Sequence, residues 1–206
     1  MIDHLLWAVP DLDEGRQDLG RRTGVAPALG GRHPGVGTWN ALLDLGRRRY
    51  LEIIAPDPDQ KSFSGLGRLL EGVHEPQLLT WCAATEDIAT LADKAHAAGL
   101  GPGPVTSMQR RRPDGTLLQW KIVMLFGHDA GSLVPFFIEW SGTHHPTQEL
   151  DEGCRLESLA ATHPDPALVR GIYDTLGLEV LVEPAAQPGL RAILDTPQGE
   201  VTLTSL

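Results

Sequence analysis

The stretch that decides the fold reads HLLWAVPD over residues 4–11, and related stretches read TWCAATED over residues 80–87 and SLAATHPD over residues 158–165. Each is a short apolar run, typical of a β-strand, that ends in an aspartate. An aspartate at such a junction predicts the start of a helix, because its carboxylate can accept hydrogen bonds from the free N–H groups of the first turn. Three junctions of this kind in one chain indicate an internal repeat.

Helical patterns follow the three aspartates, over residues 12–22, 88–98 and 167–176. A glycine stands close behind each pattern, at Gly24, Gly99 and Gly177. Glycine readily adopts the left-handed conformation in which many helices end. The recurring order of strand, aspartate, helix and glycine therefore predicts three modules of the same kind.

Short strand-like runs come after each predicted helix. They cover residues 38–45 and 50–55 in the first module, 105–109, 117–126 and 134–140 in the second, and 178–183, 189–194 and 200–204 in the third. The sequence Pro113-Asp114-Gly115 predicts a hairpin turn in the second module. The glycine-rich residues 30–37, GGRHPGVG, are predicted as a loop or a wide turn before Thr38.

The chain is therefore predicted to be an α+β protein built from tandem βαβββ modules. We place a paired domain at residues 1–141, with modules at 1–56 and 76–141, and a third similar module at 154–206. Residues 141–153 are polar and are predicted to form a surface linker, in which His144 and His145 belong either to the linker or to the entrance of a site.

Composition limits the classes of function. The 206 residues are 41% hydrophobic and 21% charged, as in an ordinary globular protein. The net charge of −10 argues against nucleic acid as a partner. No apolar run approaches the length of a membrane span, and the first residues do not form the basic and then apolar pattern of a secretory signal. The two cysteines predict neither a metal pair nor a disulfide framework, so we expect a cytoplasmic protein.

Beyond the repeat, several short motifs resemble the glyoxalase-like domain group of the vicinal oxygen chelate superfamily. They are DHL at 3–5, PDL at 10–12, GGRHPG at 30–35, TWNAL at 38–42, YLEIIAP at 50–56 and PFFIEW at 135–140. The resemblance implies that two modules form a cupped mixed sheet. The superfamily includes isomerases, ring-cleaving dioxygenases, epimerases, thiol transferases and metal-free antibiotic-binding proteins, so the resemblance alone does not choose a reaction.

The resemblance also implies a metal site on the first and last strands of the paired modules. Carried over by position, the ligands are His4, Glu52 and Glu139, while Thr80 stands where a second histidine is expected. One imidazole and two carboxylates suit Zn, Fe, Mn or Ni and leave positions open for substrate oxygens. The alternative is that the histidine is an ordinary core residue and that the glutamates pair within the protein.

The remaining site predictions follow from these positions. Glu52 and Glu139 are the predicted catalytic carboxylates, which can move a proton. The predicted substrate-binding residues lie at the rim of the site or on its strands, and they are His33, Trp39, Asn40 and Thr80. The three metal-ligand positions are predicted to converge in one pocket, with Thr80 lining it.

Two functions remain open at this point. The first is a divalent-metal-dependent enzyme, a lyase, isomerase or related activity, acting on a small oxygenated organic molecule. The second is a metal-free protein of the bleomycin-resistance type that binds or sequesters a small molecule, and the missing second histidine favours it. In both cases we expect a small-molecule ligand and a homodimer, because the third module has no internal partner.

Overall fold

The computed structural model of the protein describes residues 1–60, 63–111, 117–142 and 144–205. It confirms the α+β class and the repeated βαβββ order. The first module comprises β1 (Ile2–Ala8), α1 (Leu12–Thr23), β2 (Ala28–His33), β3 (Thr38–Asp44) and β4 (Tyr50–Pro56). A 3-10 helix, Gly65–Leu70, lies in the connection to the second module.

The third module keeps this order, and the second keeps it with two additional strands of two residues each. The second comprises β5 (Gln77–Ala84), α2 (Ile88–Ala97), β6 (Gly101–Pro102), β7 (Thr106–Arg111), β8 (Leu117–Val123), β9 (Leu125–Phe126) and β10 (Phe136–Trp140). The third comprises β11 (Arg155–His163), α3 (Pro166–Leu176), β12 (Leu181–Pro184), β13 (Gly189–Thr196) and β14 (Gly199–Thr204). Two further 3-10 helices are Gly131–Leu133 and Pro146–Glu149. The predicted turn at residues 113–115 lies outside the described residues.

The three aspartates begin the helices as the sequence predicts. The Asp11 carboxylate accepts the backbone N–H of Glu14 at 2.9 Å, and Asp87 and Asp165 accept equivalent N–H groups at the starts of α2 and α3. Gly24 and Gly177 end α1 and α3 with φ angles of 78° and 70°. These caps satisfy backbone groups that have no partner within the helix, so they fix where each helix begins and ends.

The glycine-rich stretch differs from its prediction as a loop. Its first part belongs to β2, which pairs antiparallel with β3 from Ala28 to His33. The register shifts between Leu29 and Gly31, which marks a β-bulge, and Gly31 has a φ of 153°. Backbone pairing with β3 forms this strand without the alternating apolar side chains that reveal most strands in a sequence, and glycine tolerates the bulged backbone.

The chain divides into two compact units. The first unit contains residues 1–4, 80–145 and 159–190, and the second contains residues 5–79, 146–158 and 191–206. Strand β1 thus contributes its first residues to one unit and its remaining residues to the other. The predicted module boundaries follow the sequence repeat and stay a prediction.

The first unit contains a mixed sheet in the order β1-β5-β10-β8-β7. Strand β10 is parallel to β5 and antiparallel to β8. The N–H of Ala84 donates to the carbonyl of Met1 at 2.8 Å at the start of β1. Strand β12 pairs in parallel with the Ala160–His163 part of β11. No helix among the described residues is long and apolar enough to cross a membrane.

The second unit contains an antiparallel ladder in the order β2-β3-β4, followed by β1, so that β2 lies at the edge. The N–H of Val9 donates to the carbonyl of Ile54 at 2.9 Å. A core cluster packs the sheet against the 3-10 helix and the residues after it, and its members are Ala8, Ile54, Leu70 and Val73, with Leu79 at its margin. Strand β13 pairs antiparallel with β14 in this unit.

Two helical glycines give a matched test of this packing. A Cβ atom at Gly15 of α1 would lie 2.8 Å from both methyl carbons of the buried Val9, whereas nothing lies within 4 Å of a Cβ at Gly171 of α3. We expect Gly15→Ala to lower the free energy of unfolding by about 1 kcal/mol, because overpacking outweighs the gain in helix propensity. Gly171→Ala should raise it by up to about 1 kcal/mol. Urea unfolding measures both, and equal effects of the two variants would contradict the packing.

Candidate functional site

A buried pair, Asp3 and His4, lies near the start of β1 in the first unit. Each residue is 3% exposed, and Nδ1 of His4 lies 2.7 Å from Oδ1 of Asp3. The ring of Phe136 packs edge-on against the imidazole, with 5.5 Å between ring centroids. Because an ionised carboxylate only accepts hydrogen bonds, Nδ1 of His4 carries the proton and donates it. The nitrogen with which this tautomer can bind a metal is therefore Nε2.

Two further donors hold the same carboxylate. Nε1 of Trp140 donates to Oδ2 of Asp3 at 3.0 Å, and Nε2 of His145 lies 3.4 Å from the same oxygen. Burial by itself raises the pKa of Asp3, but hydrogen bonds from His145 and His4 outweigh it and hold that pKa well below its ordinary value. The carboxylate is therefore a charged centre that accepts three N–H groups inside the protein.

Cys82 joins Asp3 and His4 to form a group that can hold a metal ion. The three residues are buried, and their ligand atoms all lie within 4.8 Å of one another. An imidazole nitrogen and a cysteine sulfur are the donors that Zn²⁺ prefers, and a nearby carboxylate commonly orients the histidine. The donor set therefore fits a divalent ion of borderline softness.

Glu139 occupies a different environment in the same unit. Its Oε1 accepts the Lys121 ammonium at 2.7 Å, and its Oε2 accepts the N–H of Ile88, at the start of α2, at 2.9 Å. These two donors hold the pKa of Glu139 below its ordinary value. Side chains alternate along β10, so Glu139 lies on the face opposite to that of Phe136, which contacts His4. A metal-ligand role for Glu139 stays a prediction. Such a role requires the carboxylate to give up its hydrogen bonds from Lys121 and from the Ile88 N–H.

Thr80 is buried in β5 on the same strand face as Cys82. Its hydroxyl donates to the carbonyl of Ser132 at 3.0 Å. This bond ties β5 to the segment that contains the 3-10 helix Gly131–Leu133. The substrate-lining role predicted for Thr80 is not tested by this contact.

The second unit brings Glu52, Asn40 and His33 together on one face of its sheet. Nδ2 of Asn40 donates to Oε1 of Glu52 at 2.6 Å and lies 3.4 Å from Nε2 of His33. The other ring nitrogen of His33 lies 2.8 Å from the hydroxyl of Thr38. Asn40 and Glu52 are buried, whereas His33 is half-buried. The result is a row of polar side chains that runs from Thr38 through His33 and Asn40 to Glu52.

Trp39 lies on the opposite face of β3 from Asn40. The guanidinium of Arg32 lies 5.3 Å from the centroid of its ring, within the range of a cation–π interaction. Arg32 also pairs with the carboxylates of Asp57 and Asp59. The indole N–H of Trp39 has no hydrogen-bond partner among the described residues. Of the predicted substrate residues on β3, Asn40 therefore shares a face with Glu52 and Trp39 does not.

Sequence reasoning missed three of the residues in and around the buried Asp3–His4 pair, namely Asp3, Cys82 and His145. Cys82 was not expected near a metal ligand, although it stands two residues after Thr80 and alternation places both on one face. His145 was expected in a surface linker or at an entrance, but it is 1% exposed. Asp3 was noted only as part of a motif, and its position directly before His4 was the available signal.

A comparison with known families decides the assignment. Residues 2–177 match the sequence profile of the glyoxalase-like domain. The chain belongs to the glyoxalase-like domain family. The match confirms the resemblance drawn from the sequence motifs and places the protein in the vicinal oxygen chelate superfamily. A search of curated protein sequences finds no significant match.

Solved structures support the fold of this glyoxalase-like protein. A hypothetical protein from Staphylococcus aureus superposes with a TM-score of 0.71 at 15% identity, covering 98% of this chain and 84% of that one. Methylmalonyl-CoA epimerase from Mycobacterium tuberculosis superposes with a TM-score of 0.51 at 18% identity, and the match covers 71% of this chain and 91% of that one. The methylmalonyl-CoA epimerase from Streptomyces coelicolor, in complex with 2-nitronate-propionyl-CoA, superposes with a TM-score of 0.50 at 19% identity. This match covers 68% of this chain and 97% of that one. At these identities the likeness establishes the fold alone.

Proposed function

We propose that this glyoxalase-like protein is a divalent-metal-dependent enzyme, a lyase, isomerase or related activity, that acts on a small oxygenated organic molecule. His4 and Cys82 are the proposed ligands in the first unit. The observation that carries the proposal is the buried contact of 2.7 Å between Asp3 and His4, with Cys82 beside them. Three potential ligand atoms so close together inside the protein are an arrangement that a metal ion can bind.

The chemistry of these residues supports the proposal. Asp3 keeps the proton of His4 on Nδ1, so that Nε2 is the donor nitrogen, and Cys82 adds a soft sulfur ligand. When bound, a divalent ion supplies Lewis-acid polarisation of substrate oxygens. Zn²⁺ suits the nitrogen and sulfur donors best, while Fe, Mn and Ni remain candidates within the family's range.

Each unit holds one carboxylate that is proposed for proton transfer, Glu139 in the first and Glu52 in the second. Asn40 donates to one of the Glu52 carboxylate oxygens at 2.6 Å and so fixes the orientation of the group. Lys121 and the Ile88 N–H hold the pKa of Glu139 below its ordinary value, which makes that carboxylate a poorer base than an ordinary glutamate. His33 and Asn40 are proposed to contact the substrate, since they belong to the same polar row as Glu52.

Cobalt substitution tests the metal site directly. We expect the protein, purified without chelator, to retain about one divalent ion per chain. After replacement by Co²⁺, a thiolate-to-cobalt charge-transfer band should appear because Cys82 is a ligand. Cys82→Ser should remove the band, whereas Cys154→Ser, at the other buried cysteine, should keep it. A band that survives Cys82→Ser would overturn the assignment of Cys82, and failure to bind any ion would overturn the metal proposal.

The metal-free binding protein remains the second candidate, and one observation favours it. Each predicted carboxylate already has a donor within the protein, Asn40 for Glu52 and Lys121 for Glu139. Such pairing satisfies the glutamates without an ion. Wild-type protein that binds small organic molecules but retains neither Zn²⁺ nor Co²⁺ would favour this reading. The homodimer stays a prediction, which light scattering can test.

A further inference from the structure

The Asp3 carboxylate differs from an ordinary metal ligand in how fully it is engaged. Its Oδ1 accepts from His4, and its Oδ2 accepts from Trp140 and lies within hydrogen-bond distance of His145. An ionised carboxylate has about four acceptor positions, and three of them face N–H donors here. Direct coordination of an ion by Asp3 would have to compete with these donors.

The two donors on Oδ2 come from chain segments distant from β1. Trp140 ends β10, and His145 lies five residues further on. The rings of these two residues pack edge-on, with 5.2 Å between centroids, and the ring of Trp120 packs against that of Trp140 at 5.6 Å. His145 is 1% exposed. His145 is therefore not a surface contact, whereas Trp140 is half-buried, and the rings of both donors pack against neighbouring rings.

We infer that Asp3 is a positioning residue, anchored by Trp140 and His145, that fixes His4 in the tautomer with the proton on Nδ1. With Oδ2 held by two donors, the carboxylate plane is fixed and Oδ1 stays directed at His4. The imidazole then cannot exchange its proton between ring nitrogens without losing a charge-assisted hydrogen bond. His145 is thus part of the His4 site, although it follows the paired strands in sequence.

The use of Nε2 as a metal donor rests on the proposed function, but the tautomer of His4 does not. Long-range ¹H–¹⁵N spectra of the imidazole rings report the tautomer directly in metal-free protein at about pH 8, where ordinary histidines are neutral. The His4 and His145 signals are assigned by single substitution. We expect wild-type His4 to be protonated on Nδ1 and His145 on Nε2.

Variants of the anchor provide the test. His145→Leu should turn His4 into a mixture of tautomers and weaken Zn²⁺ binding by about 10-fold, as loss of an outer partner of a metal ligand commonly does. His145→Gln, which keeps an N–H donor at similar reach, should restore both properties. His163→Leu is the matched control, because His163 is buried in the same unit but contacts the backbone of Asp165.

The outcomes separate the two proposals. A single wild-type tautomer of His4 in both His145→Leu and Trp140→Phe would overturn the positioning role, whether or not the protein binds Zn²⁺. A shifted tautomer in a protein that binds no ion would support the positioning role and overturn the metal proposal. If His145→Leu does not fold, Trp140→Phe decides the question, because it removes the indole N–H that donates to Oδ2 while it keeps an aromatic ring.

Discussion

Replacing Trp81 by alanine should lower the free energy of unfolding by about 4 kcal/mol, the usual cost of removing a fully buried tryptophan. Trp81 is 1% exposed, and its indole N–H donates to the carbonyl of Leu133 at 2.8 Å. The hydroxyl of Tyr173, from α3, donates to the same carbonyl at 2.7 Å, and the two rings meet edge to face with centroids 6.0 Å apart. One carbonyl therefore joins β5 to the helix of the third module.

A double-mutant cycle isolates the shared carbonyl. The Trp81→Phe and Tyr173→Phe variants each remove one of the two hydrogen bonds to the Leu133 carbonyl. The double variant removes both and leaves this buried carbonyl without these donors. We expect the double variant to lose about 1 kcal/mol more than the sum of the single losses. Urea unfolding measures the cycle. Additive losses, or a cost below about 1 kcal/mol for Trp81→Ala, would show that the third module does not depend on this contact.

The second large effect is expected at Asp3. Asp3→Leu removes the acceptor of three N–H groups, on the buried His4 and His145 and on the half-buried Trp140, and the expected loss is about 3 kcal/mol of unfolding free energy. The reason is that a buried donor without a partner costs the free energy of its lost hydration. Equilibrium unfolding in urea, followed by tryptophan fluorescence, is the direct measurement.

Two controls distinguish this loss from a general effect of removing a charge. Asp3→Asn keeps the shape and one acceptor oxygen, so its loss should be about half as large. Asp93→Leu changes an exposed aspartate on α2 and should alter stability by no more than about 0.5 kcal/mol. A cost of Asp3→Leu as small as that of Asp93→Leu would mean that the three N–H groups find other acceptors.

The fold was largely predictable because its signals are local. An aspartate that begins a helix and a glycine that ends it act within one turn, and both can be read from neighbouring residues. Strand β2 was not predicted, because pairing with β3 forms it and its glycines show no apolar alternation. Strand β12 begins at Leu181, three residues later than predicted. Leu181 is the first residue of β12 that pairs with β11, so the start of this strand also depends on its pairing partner.

The site was less predictable because its members meet only through tertiary structure. His4 was singled out by its position in a family motif, and Asn40 was named as a binding residue. Cys82 and His145 belong to the site because the fold brings them close to Asp3. Their spacing in the sequence does not reveal this proximity. The metal-ligand role of Glu139 stays a prediction, and the contacts that its motif did not reveal join β10 to the start of α2.

The bulge in β2 also affects the association of this chain with other copies. An exposed strand edge offers free N–H and carbonyl groups to any other chain, which makes it a route to aggregation. At this edge the register breaks between Leu29 and Gly31, and Leu29 is 60% exposed. A regular incoming strand cannot continue its hydrogen bonds across such a break. The irregular edge therefore disfavours intermolecular pairing at β2, and we expect the predicted homodimer to use another surface.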